Sequence, residues 1–131
     1  MLVLGLLGTT TDLLLIEHYE DALQLIPLGL ASFALIVVGW NVLRSTRLSV
    51  RMLQAVMTLL LVAGVLGMTL HYRGAAAFQW EMDATQSSWT VFMKVIRAKA
   101  PPLMAPGAML QLGLIGLVYT YRHPALTGFD E

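Results

Sequence analysis

The sequence predicts an all-α integral membrane protein: a bundle of four transmembrane helices with a short amphipathic interfacial helix in the loop between the third and the fourth. Three observations carry this. Of the 131 residues, 57% are hydrophobic and only 12% charged, with a mean hydropathy of +0.72. A soluble domain is about a quarter charged, and a chain this short has too little interior to hide so many apolar side chains from water. The apolar residues also fall into four runs, with the charges gathered between them.

The first run covers residues 2–19. It lacks a basic leading region and an A-x-A site, so it reads as a retained helix rather than a cleaved signal peptide. The second, residues 23–43, follows the turn "EHYED" (17–21), and Pro27 suits its first turn. The third, residues 50–71, follows "RSTRLSVR" (44–51), which holds Arg44, Arg47 and Arg51. The fourth, residues 103–121, follows "APPLMAPG" (100–107). The last three runs have the length of roughly 20 residues that a crossing needs. The first crosses only if its helix runs into "EHY" or the bilayer thins locally. A polar tail, 122–131, is broken from the fourth helix by Pro124. The whole chain reads as a single transmembrane domain.

Residues 72–102 form the long connection. Within it, "SSWTVFMKVIRAKAPP" places Trp89, Phe92, Met93 and Ile96 at helical spacing, with Thr90, Lys94 and Arg97 elsewhere on the wheel. Ser87 or Ser88 caps the start and Pro101 ends it. Such a helix lies in the membrane interface or forms a lid on the bundle. Three arginines crowd the short second connection, which places both termini in the cytoplasm and "EHYED" with the long loop outside. The expected location is a bacterial cytoplasmic (inner) membrane.

Each run carries a stripe of small residues suited to close helix packing. These are Gly5, Gly8 and Asp12; Gly29, Ser32 and Gly39; Gly64, Gly67 and His71; and Gly113, Gly116 and Thr120. Asp12 is the one acid well inside an apolar run. It must be protonated, paired or near water, and His71 or Thr9 are its expected partners.

Candidate ligands concentrate near the outer side. Glu17, His18, Glu20 and Asp21 have the oxygen and nitrogen donors of a cation site, although the spacing matches no strong metal signature. His71 and His18 are candidate axial ligands for haem or a chlorin. Zero net charge gives no field for nucleic acid, and the absence of cysteine excludes thiol, disulfide and iron–sulfur chemistry. No nucleophile-elbow, Walker or Rossmann pattern is present.

In size, helix count and an acid in the first helix, Asp12, the chain is similar to the small multidrug transporters. The long loop, the short first segment and the missing aromatic motifs depart from them. The expected function is therefore that of a non-catalytic accessory subunit of a larger membrane complex of respiratory or photosynthetic type. Its expected partners are the lipid bilayer, bound lipid and other membrane subunits. The alternatives are a haem- or pigment-binding electron-transfer subunit using His71 and His18, and a small proton-coupled transporter using Asp12.

Overall fold

A computed structural model describes residues 1–17, 22–98 and 104–127. Among them are six helices and no strand: α1 (Leu2–Leu15), α2 (Ala22–Leu43), α3 (Arg47–Met82), α4 (Ser88–Ile96), α5 (Met104–Thr120) and α6 (Pro124–Thr127). Two helices, α2 and α3, are long and apolar enough to cross a membrane, while α1 and α5 are apolar but shorter. Length and composition thus mark two crossings where the sequence suggested four.

Four helices close a ring in which the neighbours run α1–α2–α3–α5 and back to α1. Leu6, Ala34, Val37, Leu53, Met57, Leu60, Met109 and Leu112 fill the space between them. The tightest seam joins α3 and α5, and glycine is the reason. A methyl group on Gly64 would sit 2.7 Å from the backbone oxygen of Pro106 and the backbone nitrogen of Leu110. One on Gly113 would sit 2.7 Å from the backbone oxygen of Met57. Gly67 meets Pro106, and Gly116 meets the side chain of Met57. The stripes expected on the third and fourth runs are therefore the real seam. Those of the first two runs differ. Gly5 faces Leu112, but a methyl on Gly8, Gly29 or Gly39 meets nothing within 4 Å.

The helix ends depart from the expected boundaries in four places. Helix α1 stops at Leu15, because Glu17 adopts a left-handed backbone (φ 54°) and the Glu17 N–H donates to the Leu14 carbonyl. Pro27 lies inside α2 rather than in its first turn, which leaves the Leu23 carbonyl without its helical donor. The third helix does not end near 71. It runs 36 residues to Met82, about 54 Å at the helical rise. The segment "YRGAAAFQWEM" has alanines and straight-chain residues that favour helix, and Asp83, extended at φ −157°, ends it.

The fourth departure is α4. Ser87 does cap it, accepting from the Thr90 N–H at 3.2 Å. The helix then runs back along the C-terminal part of α3 as an antiparallel hairpin. Gln86 Nε2 donates to the Gln79 carbonyl near the turn, and Phe92 meets Tyr72 edge-on at 6.1 Å further back. Its buried face is Val91 and Val95 against Ala76. Of the residues expected to define its apolar face, Trp89 and Ile96 are exposed and Phe92 and Met93 half-buried. The β-branched pair packs on alanines, while Trp89 stacks on Phe92 at 5.5 Å.

Candidate functional site

The helices carry few polar side chains, and most are satisfied by their own backbone. Thr10, Thr58 and Thr69 donate to the carbonyl one turn back, those of Leu6, Gln54 and Val65. Such back-bonding hides a hydroxyl without water. No buried side-chain nitrogen or oxygen lacks a partner among the described residues.

One polar cluster joins three helices. Asn41, in the last turn of α2, is 3% exposed. The hydroxyl of Ser49, in the first turn of α3, lies 3.1 Å from Asn41 Oδ1 and 2.8 Å from the Arg44 carbonyl. It accepts from the Thr46 N–H at 2.9 Å, while Thr46 Oγ1 accepts from the Ser49 N–H at 3.2 Å. This reciprocal pair is a capping box with serine in place of the usual glutamate. Asn41 Nδ2 reaches the Tyr119 hydroxyl of α5 at 3.4 Å. The cluster thus ties the ends of α2, α3 and α5 together at the arginine-rich end.

Beside it lies a serine–histidine pair, Ser45 Oγ and His123 Nε2, at 3.5 Å. Its geometry is wrong for nucleophilic catalysis. His123 Nδ1 accepts from the Ala125 N–H at 3.2 Å, so the neutral ring carries its proton on Nε2. A general base needs Nε2 free to accept, with Nδ1–H held by a third group. The imidazole acts here as a cap for α6 and stacks obliquely on Tyr119 at 5.7 Å.

The residues singled out from sequence fall elsewhere. Asp12 is exposed and makes no hydrogen bond or ion pair among the described residues. It is not joined to His71 or Thr9, because α1 and α3 stand on opposite corners of the ring and Thr9 points inward. Asp12 lies three residues before the end of α1, about 4.5 Å from it. His71 is exposed on α3 and is not without an interaction partner. His18, Glu20 and Asp21 lie outside the described residues, so the acidic cation site is represented only by Glu17, which is exposed. No group of three His, Asp or Glu residues among those described comes together to hold a metal ion. The sequence reading missed Asn41 and Ser49. Their signals were a lone amide in an apolar helix and the T-x-x-S spacing at 46–49.

No protein family, curated protein or solved structure matches this chain.

Beyond the ring, α3 carries a second feature. His71, Gly74, Phe78 and Met82 recur at i, i+3, i+7 and i+11, one face of a helix. That face continues the line of Gly64 and Gly67, which α5 covers within the ring. Beyond the start of α5 its apolar members are bare: Phe78 is 58% exposed and Met82 71%. Helix α4 packs on a different side, through Ala76.

Proposed function

We propose that the chain is an integral membrane protein whose α1, α2, α3 and α5 lie in the bilayer, and that it serves as a non-catalytic accessory subunit of a larger membrane assembly. The membrane part is supported by what the helices leave uncovered. Only 22% of the apolar window of α2 and 28% of that of α3 is buried within the chain. The core helix of a soluble protein would have most of that surface covered. Leu59, Val62, Leu66, Leu114 and Val118 all point outward, which is stable only against lipid or another apolar surface.

The lengths then set the depth. About 20 residues of α3 cross the hydrocarbon, and the remainder projects beyond it with α4. Helix α5 reaches about 26 Å and α1 about 21 Å. The bilayer thins around α1 to accommodate it. Thinning brings the headgroups down to Asp12, where its carboxyl group meets water and polar headgroups. Asp12 is then an anchor at the rim of the bilayer.

The subunit role rests on the bare face of α3. A helix face that is covered inside the ring and continues uncovered above it, with Phe78 and Met82 exposed, suits a second chain seated on the outer end. The test is extraction in a mild detergent followed by size analysis and identification of co-eluting chains. The expected result is a stoichiometric complex that Phe78→Glu dissociates without changing the amount of folded subunit. A lone monodisperse monomer from native membranes would contradict the proposal.

A further inference from the structure

We infer that the flank between α2 and α3 binds one anionic phospholipid, with its acyl chain in an apolar groove and its phosphate on Arg73. This rests on the membrane reading above. The groove has a volume of about 520 Å³, and its walls include Leu25, Ile26 and Gly29 from α2 with Leu59, Val62 and Leu66 from α3. Gly29 keeps it open, since a methyl there would meet nothing within 4 Å. Between Leu59 and Leu66 it follows about 10 Å of helix.

A cation stands at its mouth. Arg73 is seven residues beyond Leu66, within about 20° of the same face and about 10 Å further out. It is exposed and makes no hydrogen bond or ion pair among the described residues. An apolar slot below a guanidinium that has no ion pair among the described residues matches the two halves of a phospholipid. The planar guanidinium forks onto phosphate oxygens, and a negative headgroup adds charge complementarity. A partner helix is the poorer occupant. Close helix packing wants small residues along the seam, and this groove sets only Gly29 and Ala63 among leucine, isoleucine, valine and phenylalanine.

The test uses the whole protein in a nonionic detergent, titrated with phosphatidylglycerol and in parallel with phosphatidylcholine. Native mass spectrometry reads the lipid bound per chain. The expected result is one phosphatidylglycerol retained in preference to phosphatidylcholine. Arg73→Gln should remove that preference and weaken retention of phosphatidylglycerol about tenfold, the value of a charge-assisted hydrogen bond. Gly29→Leu should lower retention of both lipids at a melting temperature no lower than that of wild type. Equal retention by wild type and Arg73→Gln overturns the inference. So does a Gly29→Leu protein that keeps its lipid and sheds a partner chain, which would make the groove a helix site. Should Gly29→Leu fail to fold, Arg73→Gln decides alone. Carbonate washing of membranes separates the two levels of the argument. A chain that washes out fails the membrane reading as well, whereas a retained chain that holds no phosphatidylglycerol fails only the lipid site.

Discussion

Exchanging glycine for alanine at position 64 and, separately, at position 29 makes one chemical change with two expected signs. Both glycines are helical, so alanine gains about 1 kcal/mol of intrinsic helix preference at each. At Gly29 the new methyl meets nothing within 4 Å, and that gain is expected to survive in part, as about 0.5–1 kcal/mol of added stability. At Gly64 the methyl would lie 2.7 Å from two backbone atoms of α5 and 2.9 Å from Leu110 Cβ. Backbone atoms cannot swing aside as a side-chain tip can, so α3 and α5 must separate. Overpacking of this kind costs about 1–3 kcal/mol. With two backbone clashes the upper part of that range applies, and the net effect is a loss of about 1–2 kcal/mol. Thermal unfolding in detergent reads this directly, at about 3–8 °C per kcal/mol for a chain of this size. Gly64→Ala should melt well below wild type and Gly29→Ala at or above it. A Gly64→Ala protein as stable as wild type would refute the close seam, and equal losses at both sites would refute the assignment of its location.

Three further outcomes follow from the geometry. Ser49→Ala leaves the Thr46 N–H without its side-chain acceptor and strands Asn41 Oδ1 in a buried site, so it should cost about 2 kcal/mol; Tyr119→Phe, losing one long bond, should cost about 0.5 kcal/mol in the same unfolding assay. The Thr85 hydroxyl and then the Thr85 backbone N–H, with Lys94 adding its charge, hold the Asp83 carboxyl below the ordinary aspartate value of 3.8. A depressed folded value means that the turn is supported above pH 3.8 and loses that support as pH falls through the folded value; hydrogen exchange at the Thr85 amide should be protected at pH 5 and lose protection only below 3.8, and Asp83→Asn should abolish this pH dependence. Val91→Asp should raise exchange across residues 88–96 while leaving α2 and α5 protected, because the Ala76–Val91–Val95 cluster is separate from the ring's core.

The sequence made the helical class, the apolar runs and the α3–α5 seam legible, because composition, run length and paired glycines report them directly. Hydropathy misplaced the C-terminal end of α3. It falls near His71, but backbone propensity in "YRGAAAFQWEM" carries the helix on to Met82, and the two signals are independent. Bulk does not report burial on α4. Against the flat alanine surface at Ala75 and Ala76, compact Val91 and Val95 fit closer than Trp89 or Ile96. Asp12 looked buried because its neighbours in sequence are apolar. Its exposure depends on which side of α1 meets α2 and α5, and Leu6, Thr9 and Leu13 define that side. The clamp of Asn41, Ser49 and Tyr119 depends on three helix ends converging, which no single segment announces.

The outer surface of the ring faces either lipid or water, and labels placed on it distinguish the two. The chain has no cysteine, so single cysteines carrying spin labels can be placed at Leu59, Val62 and Leu114 on the ring and at Gly74, Phe78 and Glu81 on the projecting part of α3. In reconstituted vesicles of subunit alone, collision with oxygen and with a water-soluble nickel complex distinguishes lipid from water at each site. The account predicts that oxygen reaches the first three labels while nickel is excluded, and that nickel reaches the last three. Nickel access at Leu59 and Leu114 equal to that at Glu81 would contradict it.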